Sequence, residues 1–195
     1  MLLLFLLLLL SYLPLANANE RCIKLLPYVY EATVEVLGVD YPYWYNAGLL
    51  ETESNCKWVK SLDGFGSIGY AQITKSQWDR VLRPIYPYWD RQNSKQYFYA
   101  TAFVIKKSIE NTCRLWIGYQ VYNGGRLVVK ECKIANSCRW EECRKQCRRQ
   151  NVCVYITASG CSQYRNACDI NYSYSVKVYR NGQKYRAGED KIPYW

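Results

Sequence analysis

Residues 42–56 read PYWYNAGLLETESNC, and this stretch decides the fold. Trp44, Ala47, Gly48 and Leu50 recur at the spacing of one helical face, with small residues where another element can pack closely. Pro42 is tolerated at a helix start. The spacing therefore predicts a helix over 43–54. It ends in two acids, Glu51 and Glu53, and gives way to a loop over 57–69 with glycines at 64, 66 and 69.

The flanking sequence is helical too. Leu25, Leu26, Val29, Thr33, Val36 and Leu37 share a face of an earlier helix over 25–37, which Gly38 ends. Tyr70 to Trp78 is expected to begin another helix. Residues 83–89 carry Pro84 and Pro87 and must be irregular. Asn93 is the expected N-cap of a helix to about Lys107, with Tyr97, Ala100 and Val104 on its apolar stripe. A further helix over 112–122 stops at Asn123-Gly124-Gly125. The tail is ambiguous. Val176, Val178 and Asn181-Gly182 give a hairpin signal, yet the same residues permit a helix.

The N-terminus has another character. Residues 1–15 are nearly all leucine, followed by Ala16-Asn17-Ala18, a small-x-small cleavage site. Residues 1–18 are read as a secretory signal peptide. The run is shorter than the roughly 20 residues of a comfortable membrane span. No Lys or Arg precedes it, so an uncleaved anchor, with transient membrane contact, stands as the alternative.

The ten cysteines all lie beyond that site, as expected of disulfides in an exported chain. Their pairing cannot be read from the sequence. Cys138, Cys143 and Cys147 could suggest zinc, but neither their spacing nor any histidine supports a common zinc site. Seven of the ten fall in 132–168. The expected organisation is a helical core over 19–128, a cysteine-rich insertion over 129–170, and a segment over 171–195 that closes the core. The fold class is mainly α.

Composition excludes several chemistries. The 195 residues include no histidine. That removes Ser-His-Asp and Cys-His catalysis and His-ligated catalytic zinc. A carboxylate is then the leading proton carrier, and glycosidic cleavage is a reaction that needs only carboxyl groups. The net charge of +10 suits an anionic polymer. The basic run 139–149 is interleaved with cysteine and glutamate, so it reads as the solvated face of a stapled helix. No nucleic-acid partner is expected.

Three segments carry a resemblance. They are Glu53-Ser54, then Gly66-Ser67-Ile68-Gly69-Tyr70-Ala71-Gln72-Ile73, then Val121-Tyr122-Asn123-Gly124-Gly125. In order and spacing the chain resembles the soluble lytic transglycosylases and their goose-type lysozyme relatives. A weaker match is Tyr174-Ser175-Val176-Lys177-Val178. The cysteine-rich stretch is not covered.

The resemblance implies an α+β lysozyme-like fold and cleavage of peptidoglycan glycan strands without cofactor or metal, in the periplasm or outside the cell. Glu53 would be the general acid/base. Ser54, Gly69, Tyr70, Gln72, Tyr122, Asn123 and Tyr174 would contact substrate, Tyr174 only if the tail is helical. A protonated carboxyl at neutral pH needs a raised pKa, which burial among apolar groups supplies. Glu51, two residues away, points to the other side of a helix and is expected to be exposed. Gln72 either meets an N-acetyl group or caps the core.

The product forks. A transglycosylase needs one carboxylate and leaves 1,6-anhydro ends. A lysozyme needs a second to activate water, and Asp63 is the only acid in the loop. A non-enzymatic wall-binding module would also fit the charge and the cysteines. The chain departs from the family at Cys56, where an aromatic or apolar residue is common and a disulfide is expected to brace the helix. It departs again at Tyr70-Ala71, where Leu-Met is common.

Overall fold

The computed structural model describes residues 18–61 and 65–186. Its described part is mainly helical, with eight α-helices, one π-helical turn and a two-stranded hairpin. Contacts divide it into two compact units. The first holds residues 18–107 and 177–186 of those described, and the second holds 108–176.

In the first unit, α1 spans Glu20–Leu37. Asn19 caps it, its side chain accepting from the Arg21 N–H at 3.0 Å. Gly38, at φ +98°, ends it as expected. Helix α2 is Tyr43–Ser54, the bounds the sequence predicts. Residues 44 to 50 of α2 are all buried, which marks the central helix of this unit. Asn55 stops it in the left-handed region.

The expected helix from Tyr70 is corrected. Residues 69–72 form a turn between the bridged Ile68 and Ile73, with Gln72 at φ +52°, a value no helix interior accepts. Helix α3, Lys75–Gln77, begins only after Thr74, which forms a capping box with Gln77. It runs into the π-helical turn Trp78–Leu82. Helix α4 spans Ser94–Ile109, and the Asn93 side chain accepts from the N–H groups of Lys95 and Gln96 at its start.

The second unit contains α5 (Leu115–Tyr122), α6 (Leu127–Ala135), α7 (Trp140–Lys145), then β1 (Asn151–Thr157) paired antiparallel with β2 (Gly160–Asn166). Helix α8, Ala167–Gln183, begins in this unit and ends in the first. The tail is therefore a helix, not a hairpin. A Cβ on Gly48 would lie 2.3 Å from the Val178 carbonyl oxygen, and one on Gly182 would lie 2.7 Å from that of Trp44. The two glycines let α2 and the end of α8 pack backbone to backbone, so Gly182 serves a helix contact and not a turn.

All ten cysteines are paired, as Cys22–Cys56, Cys113–Cys138, Cys132–Cys143, Cys147–Cys168 and Cys153–Cys161. The first braces the end of α2 against α1, as expected at Cys56. The other four lie in the second unit, where four half-cystines join Trp116, Ile117, Val128 and Tyr172 in the core. Beside that core, Glu131 accepts three hydrogen bonds from Arg149 and one from the Tyr172 hydroxyl at 2.7 Å.

Such a bond set fits an exported chain. No described helix is long and apolar enough to cross a membrane. The expected signal peptide lies outside the described residues, apart from its last residue.

Candidate active site

Glu53 is the penultimate residue of α2 and is half-buried. Ser54 follows it and makes the contact that organises this edge of the first unit. Its hydroxyl donates to the Tyr70 carbonyl oxygen at 2.6 Å, with the Leu50 carbonyl as a longer second acceptor at 3.1 Å. The bond joins the Glu-Ser pair to the Gly-x-x-Gly-Tyr-x-Gln-Ile turn, 16 residues on. Two of the three segments quoted from the sequence thus meet.

The turn itself rests on a residue the sequence reading placed only in a core stripe. The Tyr97 hydroxyl donates to the Ile68 carbonyl at 2.6 Å and accepts from the N–H groups of Ala71 and Ile73, each at 3.2 Å. Burial holds the Tyr97 proton far above its ordinary range. Hydrogen bonds from Ile73 and Ala71 oppose this, and the negative charge of Glu53 adds to it. Arg91 also supports the loop, donating to the carbonyls of Gly66 and Ile73. Nothing in the spacing of Tyr97 or Arg91 distinguishes either from an ordinary core or surface residue.

Gly69 sits at φ +85°, and a Cβ there would lie 2.4 Å from the Tyr97 ring. A tyrosine beneath the turn thus accounts for this glycine. Gln72 spends its amide N–H groups on the carbonyls of Gly69 (2.7 Å) and Val59 (3.1 Å). Of its two readings, the capping amide describes its nitrogen. Tyr70 is half-buried, stacked on Phe98 at 5.5 Å and meeting Trp58 edge-on at 5.2 Å. With Trp58 36% exposed and Tyr28, itself stacked on Phe98, 50% exposed, this forms an aromatic strip open to solvent.

Glu51 is not the exposed acid expected. Its side chain is only 11% exposed and pairs with Lys184 at 2.6 Å, while the Tyr185 hydroxyl donates to its other oxygen. The partners lie more than 130 residues away in sequence, beyond the reach of any local pattern. The pair ties the C-terminal segment to α2. Glu51 and Glu53 do face different surroundings, as their two-residue offset requires.

Tyr122, Asn123 and Tyr174 belong to the second unit. Tyr122 ends α5 and is 5% exposed, Asn123 is exposed and caps that helix, and Tyr174 lies on α8 at 9% exposure. In the same unit the Gln120 side chain accepts from the Ser175 N–H. A Cβ on Gly125 would lie 2.6 Å from the Gln120 carbonyl oxygen, which accounts for that glycine. Asp63 lies outside the described residues. Among the described residues no cluster of His, Cys, Asp or Glu could hold a metal ion.

No protein-family model, curated protein or solved structure matches the chain.

Proposed function

We propose that this chain is an exported peptidoglycan lytic transglycosylase that cleaves the β-1,4 bond between N-acetylmuramic acid and N-acetylglucosamine, with Glu53 as general acid and base. The observation that carries the reading is the Ser54–Tyr70 hydrogen bond. It joins the Glu-Ser pair to the glycine-rich turn, two of the three segments that carry the resemblance.

Glu53 in its acid form donates its proton to the bridging oxygen as the C1–O4 bond breaks. The N-acetylglucosamine side leaves as an alcohol. The resulting carboxylate then removes the proton from the C6 hydroxyl of the muramic acid. The C6 oxygen bonds to C1 and closes a 1,6-anhydro ring, returning Glu53 to its starting form. One carboxylate suffices, and water enters nowhere. The aromatic strip of Tyr70, Trp58 and Tyr28 offers faces on which sugar rings can stack. The excess of Lys and Arg favours an anionic wall over a neutral polysaccharide.

The experiment is the clearing of a purified peptidoglycan suspension by the oxidised protein, beside Glu53→Gln and Glu51→Gln. The proposal expects clearing that the Glu53 variant loses. The Glu51 variant keeps it once its lower stability is allowed for. A suspension that the oxidised protein does not clear rejects the enzyme and favours a wall-binding module.

A further inference from the structure

We infer that a cleft in the second unit, walled by two of its disulfides, binds the free carboxylate end of a short peptide. The cleft holds about 290 Å³ and lies between the 111–113 turn, the end of α6 and the 136–138 link. That volume is at the small end of the usual range for ligand sites, about 300–1,000 Å³. It suits a chain end, not a long strand.

Its walls are fixed in advance. Cys113 and Cys138 both line the cleft and are bonded to each other, and Cys132 lines it while bonded to Cys143. Little ordering remains to be done when a ligand enters, which preserves affinity for a small ligand.

The lining specifies the ligand. Its one charged residue is Lys133, and no acid lines the cleft. The Lys133 ammonium makes no ion pair or hydrogen bond with any described residue. The side chains of Asn111 and Asn136 are likewise uncommitted among the described residues, and each can donate and accept. Both stand at positive φ, +64° and +47°, where glycine would be cheaper, and each brings a carboxamide to the rim. Ile117 and Val129 supply apolar surface. A cation for a carboxylate, amides for a peptide group and apolar surface beside them together describe the free carboxylate end of a short peptide. Within the proposed function, that is the alanine-ended stem peptide of the wall. This naming rests on that reading, while the site itself does not.

The test is titration of the isotope-labelled, oxidised chain with acetyl-Lys-D-Ala-D-Ala and with its C-terminal carboxamide, followed by amide NMR shifts. Saturable shifts at Asn111, Lys133 and Asn136 are expected with the acid. Lys133→Ala and Lys133→Gln should each weaken it about tenfold or more, as loss of a charge-assisted hydrogen bond implies. The carboxamide should bind the unaltered chain as weakly as the acid binds the variants. Lys133 is exposed, so neither variant threatens the fold. No bond is cleaved in this measurement, so Glu53→Gln should bind as the unaltered chain does, whatever becomes of the catalytic reading. No saturable shift, equal affinity for acid and carboxamide, or unchanged binding by both Lys133 variants overturns the site.

Discussion

The Ser54 hydroxyl and the Tyr70 carbonyl oxygen stand 2.6 Å apart, joining the end of the central helix to the glycine-rich turn. One hydrogen bond thus sets the position of Glu53 relative to that turn. Ser54→Ala should cost about 1 kcal/mol of stability, the ordinary worth of such a bond. Its effect on peptidoglycan turnover should exceed what that loss explains, because the helix end is then free to shift. Thermal unfolding and initial rates, measured on one preparation, compare the two effects.

Tyr97 carries three hydrogen bonds to the turn through one oxygen. Tyr97→Phe keeps the ring and strands two buried N–H donors. Stability should fall by about 2–6 kcal/mol, since each unsatisfied group costs about 1–3 kcal/mol. Gly69→Ala attacks the same contact from the other side, with its new methyl driven into the ring. It should lower the denaturant midpoint at least as far.

The Cys22–Cys56 bond closes a loop across 34 residues of sequence. Replacing both by alanine should remove about 3–4 kcal/mol by the loop-entropy relation. The other four bonds should still form, which a thiol count and peptide mapping check. If denaturant unfolding is unchanged, the brace is idle.

Buried tyrosines predict a loss of stability in alkali. Burial holds the hydroxyl protons of Tyr97, Tyr172 and Tyr185 well above their ordinary 10.0, and Glu131 and Glu51 add to this at Tyr172 and Tyr185. The folded chain therefore keeps protons that the unfolded chain releases above about pH 10. Stability from these groups is full below that pH and falls as the pH rises beyond it. Tyrosinate absorbance should show these residues ionising only as the chain unfolds.

Glu131 accepts from both Arg149 and Tyr172 in a nearly closed setting, its side chain 9% exposed. Glu131→Ala should destabilise the chain by about 3–5 kcal/mol, because the guanidinium stays behind without its counter-charge. Replacing Arg149 as well should recover part of that loss, which a double-mutant cycle in denaturant measures.

The sequence was most legible where structure is local. Helix α2 was readable to its last residue because its apolar positions, Pro42 and the glycine-rich loop all point one way. Gly38 acts through its own backbone and Asn93 through a side chain that reaches only the next turn, and both were equally plain. The turn at 69–72 is not legible locally because the residues on either side of its left-handed Gln72 are held by Tyr97, which the local pattern shows only as one more apolar-stripe residue. Gly182 was read through its neighbour Asn181 as a turn signal, while its partner is Gly48, far away in the chain. Glu51 was assigned to solvent because Lys184 and Tyr185 are equally remote. The disulfide pairing had no local signature at all. At the candidate site, Glu53 and Ser54 could be named from the sequence, whereas Tyr97 and Arg91, which shape the turn beside them, could not.

Which bond is cleaved, and by which group, can be read from the products. The most direct measurement is mass spectrometry of the fragments released from purified peptidoglycan by the oxidised protein and by Glu53→Gln. Transglycosylation by Glu53 predicts muropeptides with 1,6-anhydro ends from the first and none from the second. Reducing ends would contradict it in favour of hydrolysis, and equal release by Glu53→Gln would remove Glu53 as the acid.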